Sequence, residues 1–463
     1  MIRLKSLSLQ DIKNVEKGTV VFSDLPSGGS VTGIYGQNGS GKTAVITVVR
    51  CLRCLMAGWS VPDECIVGLV RQGSEAASIS AVFSVDDDDE IGYSVRLKPI
   101  ENGKAHVAQE TVELRSPGER KRVLLDHKVS EEDEMGLLVS TLSPVSQWNS
   151  LKSVRRADEK FRQEETLAWS QGRSFVFATS FFDALKVIDE EISDTSNLPK
   201  AKRDARDTNL RPLISVLSAL SNYARENMRI MTTREGAAVS FGCVPIAHGS
   251  RFDVLNITQP VIVPQDLQPV IEQMVEQSNE VLPTVIPGLQ LGCDMQDDVT
   301  DDRQPGVRVF LRSERNGVAI PFWAESEGVK RIVGMMSLLI RMFNESDVCI
   351  AIDEIDSGIF EILLGTLLQV IAEYGRGQLI FTAHNLRVLE VLSDKSIVFS
   401  TSNPKNRFTT IKGVRDSNNL RNMYIRAVNI DDQPEELAPR VRKSRVAVAF
   451  NKAGRVMRKD DHA

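Results

Sequence analysis

Apolar and polar positions alternate at the start of the chain. Ile2 and Leu4, the run Thr19–Phe22 and the run Val31–Tyr35 each read as a strand. A glycine-rich turn follows, then an apolar helix over Lys42–Gly58. Short alternating runs return over residues 77–127, among them Ile79/Ala81/Phe83/Val85 and Tyr93/Val95/Leu97. The acidic string Asp86–Glu90 falls at the tip of the first of these hairpins, where adjacent carboxylates are expected to be solvated. Over 151–283 the period becomes helical, as in Leu151–Gln171 and Leu210–Met231, with a polar link at 193–207. No heptad pattern lasts three or four heptads, so a compact helical insertion is expected and not a coiled-coil arm.

From Leu289 the strand pattern resumes, with the acidic run Asp297–Asp302 reading as a loop. A helix near Gly328–Phe343, an apolar strand Val348–Ile352, a helix Phe360–Tyr374 and strands at Gln378–Thr382 and Ser396–Ser400 complete the order. That order predicts an α/β fold in which both ends of the chain build one sheet around a helical insert.

At 463 residues the chain can hold two or three domains with proper cores. Its 42% hydrophobic and 25% charged residues are those of a soluble globular protein. The net charge of −6 argues against a polyelectrolyte binder, so any nucleic-acid contact needs a local basic patch. One such patch stands at 440–459, where Arg440, Arg442, Lys443, Arg445, Lys452, Arg455, Arg458 and Lys459 flank the apolar run Val446–Phe450. Two readings stay open for it: a terminal helix that docks its apolar face, or a docking site for an acidic partner or nucleic acid.

The longest apolar stretches, Val333–Phe343 and Ile359–Tyr374, are broken by Arg341 and Gln369 and fall short of the roughly 20 residues of a membrane span. The opening residues, Met1–Lys13, carry no apolar signal region and no small-residue cleavage site, which points to a cytoplasmic protein. Cys51 and Cys54 form a C-x-x-C on a helix, but no second pair completes a zinc site, so they read as buried thiols.

The candidate chemistry begins at Gly36-Gln37-Asn38-Gly39-Ser40-Gly41-Lys42-Thr43, which matches G-x-x-x-x-G-K-[ST] between a strand and a helix. Its glycines allow the backbone to wrap phosphates with N–H groups pointing inward. Lys42 is expected to reach the β- and γ-phosphates of ATP, and the Thr43 hydroxyl to ligate Mg²⁺. A second site follows the apolar run Val348–Ile352, where Asp353 and Glu354 stand at the carboxyl end of a strand. Asp353 would hold Mg²⁺ directly or through water, and Glu354 would polarise the attacking water as general base. His384 ends the next strand, placed to hydrogen-bond a γ-phosphate.

These residues resemble the ABC ATPase heads of SMC, Rad50, RecF and RecN proteins, whose P-loop is typically G-x-N-G-S-G-K-T. The resemblance implies an ABC-type head with an N-terminal antiparallel β lobe, lacking here the long coiled coil. It divides the chain into 1–150 (P-loop and β lobe), 151–285 (helical insertion), 286–400 (second half of the head) and 401–463 (C-terminal extension). In such heads a signature Ser-x-Gly crosses a dimer interface to the γ-phosphate held by the opposite subunit. Glu325-Ser326-Glu327-Gly328-Val329-Lys330-Arg331 occupies that place, and Ser326 and Gly328 are its expected ligands. Its form looks like the E-S-x-G-x-K-R variant of OLD-like ATPases in anti-phage systems. Asp356 matches the family's D-loop. Gln147 lies roughly where the family puts its Q-loop glutamine, with Gln109 and Gln72 competing for the role.

The segments Phe399–Arg407 and Asn418–Arg421 are similar to stand-alone ATPases of abortive-infection systems, of the RloA/AbiL and PARIS types. The resemblance implies a homo-oligomer with two ATPs sandwiched between heads. It also implies a separate effector chain such as a Toprim-type nuclease, since about 75 residues after Asn385 are too few for that module. The other reading is a RecF-like ATPase acting on DNA.

Overall fold

The computed structural model describes residues 1–23, 29–85, 89–100, 103–130, 138–152, 157–194, 199–233, 243–248, 251–256, 260–411, 420–430 and 443–457. The chain opens with β1 (Ile2–Ile12), β2 (Val15–Val21) and β3 (Ser30–Tyr35), then α1 (Lys42–Met56) and the single turn α2 (Asp63–Ile66). Strands β4 (Ala77–Val85), β5 (Glu90–Pro99), β6 (Ala105–Arg115), β7 (Arg122–Ser130) and β8 (Val139–Ser143) come next. They join β1 and β2 in an antiparallel sheet of order β2-β1-β4-β5-β6-β7-β8. Its strands alternate, Ala77, Ile79, Ala81 and Phe83 being buried while Ser78 and Ser80 are only half-buried, as expected of a sheet with one packed face. Of the acidic string, Glu90 opens β5 and the Asp89 carbonyl accepts from the Val85 amide, while Asp86–Asp88 lie outside the described residues.

Helices α3 (Val145–Lys152), α4 (Ala157–Gln171), α5 (Thr179–Asp194), α6 (Lys200–Ala205) and α7 (Arg211–Asn222) follow. The helical pattern read through Met231 ends earlier than its periodicity suggested. A π-turn at Tyr223–Asn227 closes α7, and β9 (Met228–Met231) joins the central sheet. Four residues with Ile230 among them pair parallel with a neighbouring strand, and that pairing overrides a local period too short to decide between helix and strand. Strands β10 (Cys243–His248), β11 (Arg251–Asn256) and β12 (Val261–Pro264), also inside the stretch read as helical, precede α8 (Gln268–Val285).

Strands β13 (Gln290–Val299), β14 (Pro305–Arg315) and β15 (Val318–Pro321) form a small sheet with β12. Asp297 and Asp298, expected in a loop, belong to β13 and pair with Val307 and Gly306; the turn is confined to Thr300–Arg303. The chain closes with α9 (Glu327–Asn344), β16 (Cys349–Ile352), α10 (Glu361–Tyr374), β17 (Gln378–Ala383), α11 (Val388–Val391), β18 (Ile397–Ser400), β19 (Phe408–Thr409), α12 (Leu420–Ile430) and α13 (Lys443–Met457).

The central sheet runs β19-β18-β3-β17-β16-β9, all parallel except β19. Both of its faces are buried, as parallel sheets require. On β16, Cys349 and Ala351 face one core with α1, the antiparallel sheet and helices α4, α5 and α7. Ile350 and Ile352 face the other, with α8, α9 and α10. Helix α1 sits between the two sheets, and Cys51 and Cys54 are buried on it. The fold is thus mixed α/β, with the two ends of the chain in one sheet. Among the described residues no helix is long and apolar enough to cross a membrane.

At the C-terminus, residues 443–453 of α13 are exposed throughout, so the apolar face expected to dock does not do so in the single chain. Arg440, Arg442, Arg458 and Lys459 lie outside the described residues, as do Asn418 and Asn419.

Candidate functional site

The loop Gly36–Thr43 joins the end of β3 to α1, at the carboxyl edge of the central sheet. Its geometry leaves no alternative to glycine at two positions. A Cβ on Gly36, at φ +155°, would fall 1.8 Å from the Ser400 hydroxyl. Gly41, at φ +93°, caps α1 in the left-handed region, where other residues are strained. The loop is held from behind. Ser400 donates to the Tyr35 carbonyl at 3.0 Å, and Ser40 donates to that of Gln37 at 2.6 Å. Asn14 donates to the Gly39 carbonyl, and Arg407 in turn donates to the carbonyls of Asn14 (2.6 Å) and Thr401 (2.7 Å). Asn38, Gly39 and Thr43 stay exposed, so the outer side of the loop is open to a ligand.

Lys42 is buried and donates to the carbonyls of Gly36 and Gln37 at 2.7 and 2.9 Å. Burial lowers its pKa, while Asp353, Glu354 and Asp356 raise it by their charge. Three carboxylates thus act by their charge on the Lys42 ammonium.

Those carboxylates follow β16, which lies between β17 and β9. Asp353 is 1% exposed; its amide donates to the Met231 carbonyl at 2.8 Å, and its Oδ1 accepts from Thr382 at 2.6 Å and from Thr43 at 3.4 Å. Thr233 donates to Oδ2 at 2.5 Å. Glu354 is half-buried at φ +50°, a left-handed backbone for a non-glycine residue, which costs about 1–3 kcal/mol unless its surroundings impose it. Two contacts impose it. Its amide donates to Thr382 Oγ1 at 2.8 Å, and Arg331 donates to its carbonyl at 2.6 Å and to that of Asp353 at 3.1 Å. Burial lowers the Arg331 pKa, while Glu354, Asp356 and Asp353 raise it. Asp356 accepts from the amides of His384 (2.8 Å) and Asn385 (2.6 Å), which fixes the turn after β17 and leaves His384 exposed beside it.

Ser326 caps α9, its hydroxyl accepting from the Val329 amide at 3.5 Å. Gly328, in the first turn, lies so close to Gly358 that a Cβ on it would meet the Gly358 carbonyl oxygen at 2.3 Å. The start of α9 thus rests on the loop that follows Glu354. The glutamines stand apart. Gln147 lies on α3, which packs on β8 and α6, and its buried amide oxygen has no hydrogen-bond partner among the described residues. Gln109 donates to Asp126 at 2.8 Å, and Gln72 is exposed. Among the described residues none of the three hydrogen-bonds the P-loop or the Asp353–Glu354 pair.

Two residues of the site had no role in the sequence reading. Arg331 is a charge at a buried position of α9, and Thr382 interrupts the otherwise apolar Leu379–Ala383; a polar residue in a buried run was the available signal.

The donor set fits the implied ligands. A threonine hydroxyl and an aspartate carboxylate 3.4 Å apart are hard oxygen ligands of the kind Mg²⁺ takes, beside a loop open to phosphates.

Among solved structures the chain is similar to the Smc head domain with an extended coiled coil bound to the C-terminal domain of ScpA from Pyrococcus furiosus. Identity is 13%, over 89% of this chain and 96% of that one, at TM-score 0.41. It is also similar to the SMC head domain from Thermotoga maritima, at 15% identity over 89% and 99%, with TM-score 0.38. No curated protein matches the chain. A protein family described as "AAA domain, putative AbiEii toxin, Type IV TA system" matches residues 31–390, more than three quarters of the chain and all of the site from Gly36 to His384. The chain belongs to that family of AAA domains.

Proposed function

We propose that this chain binds ATP with Mg²⁺ and hydrolyses it, assembles through its nucleotide-binding faces, and thereby regulates a separate effector protein in anti-phage defence. The observation that carries the reading is the meeting of Thr43 with Asp353 at 3.4 Å beside Lys42 and Glu354, residues some 310 positions apart in sequence. In this reading the amides of Gly36, Gln37, Asn38, Gly39, Ser40 and Gly41 surround the phosphates. Lys42 leaves the loop carbonyls to face the β- and γ-phosphates. Thr43 and Asp353 hold Mg²⁺, which supplies charge neutralisation on the phosphate oxygens. Glu354 takes a proton from the attacking water, and His384 faces the γ-phosphate. Gln147 keeps its candidacy as Q-loop residue only if α3 moves toward the site on nucleotide binding.

Ser326 and Gly328 would act on the nucleotide of a second copy. Exposed large apolar side chains on either side support a partner there: Trp323 is 49% exposed and Phe360 66%. The defence reading draws on the family description, a toxin of a toxin–antitoxin system, and on the E-S-x-G-x-K-R signature at Glu325–Arg331. The test is ATP turnover with and without Mg²⁺, together with light scattering with and without a non-hydrolysable ATP analogue. Mg²⁺-dependent turnover and an analogue-dependent doubling of mass support the reading. A folded protein that binds no nucleotide overturns it.

A further inference from the structure

Among the described residues, nothing packs on the apolar seam of helix α13. Residues 443–453 are all exposed, Val446 at 38% and Phe450 at 75%. Val446, Phe450 and Ala453 are spaced 4 and 3, which places them on one stripe of a helix in the a and d positions of a heptad. The flanking e and g positions are Ala447 and Ala449, both small and uncharged. The cations Arg445 and Lys452 occupy outward c positions.

That arrangement selects among occupants. An acidic partner helix would find no cation beside the seam to meet its carboxylates. A second α13 finds small uncharged residues there and brings no like charges together across the flanks. Lys443, at the first seam position, is the one charge on the stripe, and an antiparallel pair sets it against the far end of its neighbour. In that pairing the midpoint of the helix, Phe450, meets Phe450 of the other copy.

The size of the patch points the same way. A 15-residue helix is about 22 Å long and about 10 Å wide, so one face offers only a few hundred Å², well short of the roughly 1,200 Å² of a stable interface. Such a patch cannot hold a free partner. It can add to an association already made elsewhere, because a tethered second contact is intramolecular.

We infer that α13 pairs with α13 of a second copy of this chain, as an auxiliary clasp on the assembled heads. The inference rests on the homo-oligomer reading above. The test measures the dissociation constant of the Glu354→Gln dimer in ATP by analytical ultracentrifugation. Phe450→Asp together with Val446→Asp should weaken it at least tenfold, whereas Arg445→Gln with Lys452→Gln should leave it within about twofold. Both changes fall on exposed positions, and unaltered ATP binding by each variant confirms that it is folded. As a second readout, Phe450→Cys should form oxidised copy-to-copy disulfides in ATP, and Asn451→Cys, on the outward face, should not. An unchanged dissociation constant for the Asp variant overturns the clasp alone. Equal weakening by the Gln variant replaces it with a charge-driven contact. No dimer in any variant overturns the homo-oligomer reading and the clasp together.

Discussion

The Arg331 guanidinium donates to the carbonyl oxygen of Glu354 at 2.6 Å, from a helix whose first turn carries Ser326 and Gly328. The start of α9 and the carboxylate pair are therefore joined within one chain. Arg331, itself 3% exposed, also donates to the Asp353 carbonyl at 3.1 Å, while the Glu354 carbonyl accepts from the Ser357 amide as well, at 3.1 Å. A tilt of α9 would therefore be delivered to the backbone of Glu354.

Replacing Arg331 by Met removes the donor to the Asp353 carbonyl, at a cost of about 1–3 kcal/mol, and one of the two donors to the Glu354 carbonyl, which loosens the left-handed backbone of Glu354. We expect kcat to fall at least tenfold while ATP affinity changes less than about threefold, with Arg331→Lys recovering part of the rate. Steady-state kinetics beside nucleotide titration separates these. A folded Arg331→Met protein with unaltered kcat would show that the contact only supports the fold.

Thr382 gives its proton to Asp353 and accepts from the Glu354 amide, so one hydroxyl sets both acids. Thr382→Val keeps the shape and removes both bonds. The expected result is a loss of about 1–3 kcal/mol in chemical denaturation and a higher Mg²⁺ concentration for half-maximal activity. A Mg²⁺ titration that superimposes on the native one would detach Thr382 from the metal site.

Much of this arrangement was legible in the sequence, for identifiable reasons. The P-loop imposes its own geometry through Gly36 and Gly41, so a local string was enough to locate it. The apolar run Val348–Ile352 could be read as a buried parallel strand because both of its faces are covered. β9 was not legible. Its four residues continue the helical period of α7, and only pairing with β16, which lies over 100 positions away, makes them a strand. Arg331 and Thr382 were hidden for a related reason: Arg331 binds backbone carbonyls, which leave no mark in sequence, and Thr382 meets the Asp353 carboxylate only through the pairing of β16 with β17. The glutamine proved hardest, since a role in a loop that contacts nucleotide is set by tertiary approach and not by local pattern.

Lys42→Ala removes the ammonium that the Gly36 and Gln37 carbonyls hold under the charge of Asp353, Glu354 and Asp356. The expected outcome is loss of ATP binding, at least about 100-fold in dissociation constant by calorimetry, in a protein of native circular dichroism. Retained tight binding would take the phosphates away from this loop.

The signature is tested across copies. Ser326→Arg should leave ATP binding intact and abolish hydrolysis, because Ser326 stands exposed at the start of α9 and, in the proposed assembly, would serve another head. Mixing it with Lys42→Ala should restore part of the turnover by forming one whole composite site. Absence of rescue in mixtures shown to exchange subunits would count against two independent sandwich sites.

The central claim is that Glu354 activates water in an intact ATPase site, and single-turnover hydrolysis by Glu354→Gln tests it most directly. The substitution keeps the side-chain shape and removes the carboxylate that accepts the proton. With ATP bound at native affinity, hydrolysis should slow at least about 100-fold and the protein should accumulate as a nucleotide-bound assembly. Near-native hydrolysis in that variant would contradict the assignment and move the base elsewhere, most directly to Asp356.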